Sequence, residues 1–162
     1  GMTGFLQQRQ GSSLPYSVPR GTWLCKDGEW VAVSASAESV GRRVMELIGL
    51  GGRDELQSFG GRIEARDEID AAMAAFCAAR TVDEVVAAFE DAHAAAAPVY
   101  DMAAVFADPQ VRARGSIVEA DGVPMQGLVA RLSETPGSVR WAGRAMGADD
   151  PPAWSSIDSP RQ

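Results

Sequence analysis

The stretch Thr22-Trp23-Leu24-Cys25-Lys26-Asp27-Gly28-Glu29-Trp30-Val31-Ala32-Val33 decides the fold class. Two runs rich in aromatic and β-branched residues flank an Asp-Gly pair. Glycine supplies the positive φ of a tight turn, so the spacing predicts a β-hairpin within residues 19–36. Downstream the period changes from two to about 3.6. Val40, Val44, Met45, Leu47 and Ile48 recur at i, i+4, i+7 spacing, with Ser36 or Ser39 as cap and Gly49, Gly51 and Gly52 as stop. Residues 53–59 are expected to form a short helix that Gly60-Gly61 breaks.

Two stronger helical patterns follow. Asp67 is expected to cap a helix over 68–80 whose apolar face is Ile69, Met73, Phe76 and Cys77. Thr81-Val82-Asp83-Glu84 matches a capping box ahead of Val82, Val85, Val86 and Phe89. An alanine run, Ala94 to Ala97, follows and ends at Pro98. Asp101 caps residues 102–106, and Asp108-Pro109 opens another helical turn with proline at its first position. Residues 117–120 and 127–132 read as two strands that pair, with Asp121-Gly122 between them. The fold class is therefore α/β (α+β): a few short strands and several helices. The expected organisation is an arm or loop over 1–14, a small α/β domain over 15–114, a strand pair within 115–149 and a flexible tail over 150–162.

Composition narrows the function. The 162 residues suit one ordinary domain with a real core. With 22 acidic and 15 basic residues, the net charge is −7. That argues against nucleic acid, which calls for a basic face. No apolar run approaches the roughly 20 residues that span a bilayer, and no export leader opens the chain. One histidine and two cysteines exclude a Cys/His zinc site and a multi-histidine metal site. A cytoplasmic domain without a metal, a membrane contact or a nucleic-acid partner is expected.

Individual residues carry little chemistry. His93 lies at the end of an alanine-rich helix and Asp91 is only two residues away, so partnership with the helix dipole is the expected role. Cys77 falls on an apolar face as a small core residue. Cys25 alternates within a strand and is expected to be exposed or half-buried. The acidic pairs Asp67/Asp70 and Asp83/Glu84 are explained by helix starts. The glycine pairs match no phosphate loop and read as helix stops. No catalytic residue is assigned.

Several motifs in one order resemble family III CoA-transferases, the CaiB/BaiF family. They are Pro19-Arg20-Gly21 and Asp27-Gly28-Glu29-Trp30-Val31-Ala32-Val33, then Arg66-Asp67-Glu68-Ile69-Asp70 with Arg80-Thr81-Val82-Asp83-Glu84-Val85. The most specific is Ala97-Pro98-Val99-Tyr100-Asp101 with Ala107-Asp108-Pro109-Gln110-Val111-Arg112-Ala113-Arg114-Gly115. Arg131-Leu132-Ser133-Glu134-Thr135-Pro136-Gly137 and Gly143-Arg144-Ala145-Met146-Gly147-Ala148-Asp149 continue it. The resemblance covers residues 15–149 and implies the C-terminal portion of such an enzyme, its small domain plus a segment that returns to a large Rossmann-like domain. In the family the large domain holds most CoA contacts and the catalytic aspartate, N-terminal to everything here. No residue of this chain inherits that aspartate.

The resemblance also implies interlocked homodimers and a CoA thioester as substrate of the complete enzyme, with no tightly bound cofactor. The expected partners are a second copy or an N-terminal transferase half. Two segments carry the implied site. Arg9, Gln10, Gly11, Ser12 and Ser13 occupy the place of a loop that closes over the active site in the family; formyl-CoA transferases have it glycine-rich, and here only Gly11 is glycine. Ser36, Ala37 and Glu38 follow the second strand, where α-methylacyl-CoA racemases place a glutamate. Ala37 takes that position, with Glu38 beside it, which favours the transferase branch. The alternatives are a non-catalytic self-associating or partner-binding relic, and a piece of a racemase-like enzyme.

Overall fold

The computed structural model describes Gly4, Leu6, Gln8, Arg9 and residues 11–148. The expectations for Gln10 and for 150–162 fall outside the described residues. Packing divides the chain between Val99 and Tyr100 into two compact units.

The first unit is built on the predicted hairpin. β1 (Arg20–Leu24) and β2 (Trp30–Ser34) pair antiparallel in the register Thr22↔Ala32, with Gly28 at φ 85° in the turn. The side chains alternate as a strand demands. Trp23, Val31 and Val33 are buried, while Leu24 and Trp30 face outward. The helical block follows as α1 (Glu38–Leu47), a 3₁₀ turn (Asp54–Gln57), α2 (Phe59–Glu64), α3 (Arg66–Ala78) and α4 (Val82–Asp91). Its buried side chains Val44, Met45, Leu56, Ile69, Met73, Phe76, Cys77, Val85 and Phe89 join the inward residues of the sheet in one core. Phe76 and Phe89 meet edge to face, 6.3 Å apart at 71°. That is a favoured aromatic geometry.

Local chemistry corrects several expectations. Neither Ser36 nor Ser39 caps α1. Its N-cap is Ala37, without a side-chain bond, because the Ser36 hydroxyl is instead 2.8 Å from that of Ser17. Asp67 does not cap α3, which starts one residue earlier at Arg66 behind Ala65, so Asp67 lies within the first turn. Gly60 and Gly61 do not break the chain but lie inside α2. Ser58 caps that helix by accepting from Gly61 N at 3.0 Å. A Cβ on Gly61 would sit 1.8 Å from the Glu55 carbonyl oxygen, so this glycine serves close approach. Cys25 is buried, not exposed. The capping box at Thr81 and Glu84 forms as expected.

The alanine run after α4 is a strand. β3 (Ala95–Pro98) pairs antiparallel with β2 and completes a sheet of order β1-β2-β3. Helix propensity is a weak prior that tertiary context overrides. Here His93 takes φ 50°, which turns the chain out of α4. Arg43 from α1 then donates to Ala92 O and His93 O, both at 2.7 Å. The exposed His93 ring is therefore not the group that answers the end of α4.

The second unit holds α5 (Met102–Ala107), capped by Asp101, and α6 (Pro109–Ala113), capped by Asp108 with proline at its start. β4 (Ile117–Ala120) pairs with β5 (Val123–Gln126), not with residues 127–132. Asp121 and Gly122 both take positive φ, 53° and 75°. A two-residue turn of that kind joins strands that abut it directly, so the partner strand begins at Val123. Residues 127–148 follow without regular strand or helix. Among the described residues, none of the buried hydrophobic side chains comes from this unit. Met102, Leu128, Val129, Leu132, Trp141 and Met146 are exposed, Val129 to 78 %.

Candidate functional site

The sheet of the first unit has one face on the helical block and one face exposed. The exposed face carries Arg20, Thr22 and Leu24 from β1, Trp30, Ala32 and Ser34 from β2, and Ala95 and Ala97 from β3. The register aligns Arg20, Ser34 and Ala95 in one row and Thr22, Ala32 and Ala97 in another. Small side chains in the middle leave a groove of about 490 Å³, to which Ser12 and Leu14 of the preceding segment also contribute. Its floor is methyl groups and its polar groups are the hydroxyls of Ser12, Thr22 and Ser34 with the Arg20 guanidinium.

The two segments implied by resemblance meet at their bases. Ser17, buried just after the first segment, shares a hydroxyl–hydroxyl hydrogen bond of 2.8 Å with half-buried Ser36 of the second. Ser12 lines the groove, and Gly11 takes φ 65° beside it. Arg9, Ala37 and Glu38 are exposed. Glu38 opens α1, and its charge acts on Arg62, favouring the guanidinium that burial disfavours.

Arg62 is the residue that sequence reasoning missed. It is fully buried and donates from Nε to Val18 O (3.3 Å) and from Nη1 to Leu56 O (3.1 Å) and Gln57 O (3.3 Å). Its Nη2 has no hydrogen-bond partner among the described residues. A Cβ on Gly41 would stand 2.6 Å from its Cζ, so Gly41 makes room for it. Arg66 adds a bond from Nη2 to Leu14 O at 2.7 Å. The sequence reading places neither arginine in a helix, and the signal that could have found Arg62 is Gly41, a glycine in the middle of the α1 pattern that leaves room for a large side chain.

The titratable groups do not assemble an acid–base or nucleophilic centre. Burial pushes the Cys77 thiol up to about 12 and raises Cys25 as well, so neither is poised as a thiolate. Asp27 is held low mainly by the Val82 amide, which donates to it at 3.0 Å, so it supports the start of α4. Asp108 is held low by the Val111 amide and then by the Tyr100 hydroxyl, which donates at 2.9 Å. Burial raises Asp70, whose Oδ1 is without a partner among the described residues. No cluster of three or more potential metal ligands occurs among the described residues. No helix there is long and apolar enough to cross a membrane.

Comparison with known proteins gives a consistent picture. The family model of CoA-transferase family III matches residues 1–150. The succinyl-CoA–D-citramalate CoA-transferase of Chloroflexus aurantiacus is 29 % identical over 154 residues, covering 90 % of this chain and 38 % of that protein. The beta subunit of the succinyl-CoA–L-malate CoA-transferase of the same organism is 31 % identical over 160 residues, covering 91 % and 39 %. The crystal structure of a CaiB/BaiF family protein from Brucella suis superimposes with a TM-score of 0.67 at 23 % identity, covering 86 % of this chain and 39 % of that one. The chain therefore spans under two-fifths of the length of these relatives.

Proposed function

The chain belongs to CoA-transferase family III, and from that premise we propose that it is the C-terminal part of an enzyme that moves CoA from an acyl-CoA to a carboxylic acid. In this reading the catalytic aspartate resides in an N-terminal, Rossmann-like half. The chain supplies the wall of the acyl pocket and the segment that returns to that half. In this reading the complete enzyme is cytoplasmic, takes a CoA thioester as substrate and holds no cofactor tightly.

One observation carries the reading. The second unit retains the family's motif order yet buries no hydrophobic side chain among its described residues. A segment with that many exposed apolar groups has its packing surface on another body. Relatives more than twice as long are consistent with such a body in the remainder of the enzyme. In this reading the groove lined by Ser12, Thr22, Ala32 and Ala97 meets the acyl group. The resemblance offers Arg9, Gln10, Gly11, Ser12, Ser36, Ala37 and Glu38 as active-site loop residues of the complete enzyme. The racemase-like role is the lesser alternative, because Ala37 and not Glu38 takes the position at which racemases place their glutamate.

The test is reconstitution. The chain is mixed with a family N-terminal half, an acyl-CoA and a panel of carboxylic acids, with succinyl-CoA as the first donor because the relatives named above use it. Turnover is expected only in the mixture. Turnover by this chain alone would refute the division of labour. Self-association with no CoA-thioester binding in the mixture would favour the relic.

A further inference from the structure

We infer that Arg66 is a positioning residue that holds the segment leading into β1 and so sets one wall of the sheet-face groove; the substrate role of that groove rests on the reading above. Among the described residues, side-chain ties that differ in kind fasten this segment, three of them from Arg62, Ser36 and Arg66. Arg62 reaches Val18 O from full burial, and Ser36 meets the buried Ser17 hydroxyl. Both are locked into the core. Of these three, Arg66 is the one that reaches a groove-lining residue, with Nη2 on Leu14 O at 2.7 Å. It does so from a half-buried position in the first turn of α3.

The Leu14 carbonyl has little else to hold it. Its other bond, from Ser17 N, is long at 3.5 Å. A guanidinium on a carbonyl is a charge-assisted bond, stronger than a neutral one, and Arg66 supplies the greater part of the restraint at Leu14. Two residues earlier in the chain, Ser12 O lies only 3.2 Å from where a Cβ on Gly21 would stand, so this segment is seated tightly against β1. Release at Leu14 therefore moves both Leu14 and Ser12 off the groove, while Arg62 and Ser36 keep the segment rooted at Val18 and Ser17. Arg66 would then govern how tightly an acid or acyl group is held, not how fast it reacts.

Hydrogen exchange of the chain and kinetics of the complete enzyme test this together, with Arg66→Ala and Arg66→Lys. Arg66→Ala is expected to speed exchange in the peptide covering residues 12–18 about tenfold, as loss of a charged hydrogen bond implies. Peptides from α3 and α4 should keep their protection. Arg66→Lys, which retains a donor, should restore most of it. In the reconstituted enzyme Arg66→Ala should raise KM for the acceptor acid about tenfold with kcat within about twofold. Unchanged exchange at 12–18, an equal rise in every peptide, or an unmoved KM would each overturn the inference. Absence of transferase activity in the unmutated assembly would instead count against the family-level function, and exchange would still judge the Arg66 tie.

Discussion

Gly60 and Gly61 stand side by side in α2, and the structure predicts opposite outcomes for the same substitution. At Gly60 a Cβ would meet nothing within 4 Å. Gly60→Ala then only reduces the freedom of the unfolded chain and improves helix propensity, a gain of about 0.4–1 kcal/mol. At Gly61 the Cβ would lie 1.8 Å from Glu55 O, roughly half the ordinary contact distance of 3.4–4 Å. That neighbour is backbone and cannot swing aside. Relief requires α2 to shift from the 3₁₀ turn, which strains the Ser58 cap and the Leu56 and Gln57 carbonyls that Arg62 holds. Overpacking of this sort costs about 1–3 kcal/mol, and more where a hydrogen bond is lost. For a unit of this size each kcal/mol moves Tm by about 4–8 °C. Gly60→Ala should raise Tm by a few degrees, and Gly61→Ala should lower it by about 4 °C or more, read by circular dichroism under identical conditions. Equal tolerance of the two substitutions would refute the close approach of α2 to the 3₁₀ turn.

Other outcomes follow from single contacts. Thr81→Ala removes one half of the capping box with Glu84 and should cost about 1 kcal/mol in denaturant unfolding. Arg43→Ala frees the carbonyls of Ala92 and His93 and should speed amide exchange across β3 before that of the hairpin, at a cost of about 1.5–3 kcal/mol. The folded chain should resist alkylation of Cys25 and Cys77 at pH 8, and the denatured chain should take up both labels. Cys77 has its folded value raised from 9.0 to about 12, so the folded state holds the proton longer. Stability is therefore expected to be intact below about pH 9 and to fall as pH climbs toward 12, with Cys77→Ala flattening that decline after its packing loss is subtracted.

The legible parts of the fold are those in which neighbouring residues decide the outcome. The Asp27-Gly28 turn, the Thr81/Glu84 box and the Asp108-Pro109 helix start each form where their local chemistry places them. What misleads is local chemistry overruled from a distance. The alanines of β3 favour a helix, but β2 offers an open edge and Arg43 secures the turn before it. Ser36 is a good helix cap that a residue nineteen positions earlier claims instead. The partner of β4 begins directly after Asp121-Gly122, where the positive φ of both turn residues puts it, and not at the longer apolar run 127–132. The candidate site was legible only in outline. Resemblance marks the segments at 9–13 and 36–38, but nothing in either announces that Arg66 and Arg62, far along the chain, hold Leu14 O and Val18 O in the stretch that follows the first one.

The pairing of Ser34 with Ala95 has a wider consequence. The whole helical block leaves the sheet at one residue and re-enters beside it, as a parenthesis opened and closed on adjacent strands. Insertions or deletions within such a parenthesis need not shift the strands that bracket it. The exposed face with Arg20, Thr22, Ala32 and Ala97 lies on those strands, opposite the block. Helices on one side can thus change length or composition while the surface on the other keeps its register, and the two sides of this small sheet are free to evolve at different rates.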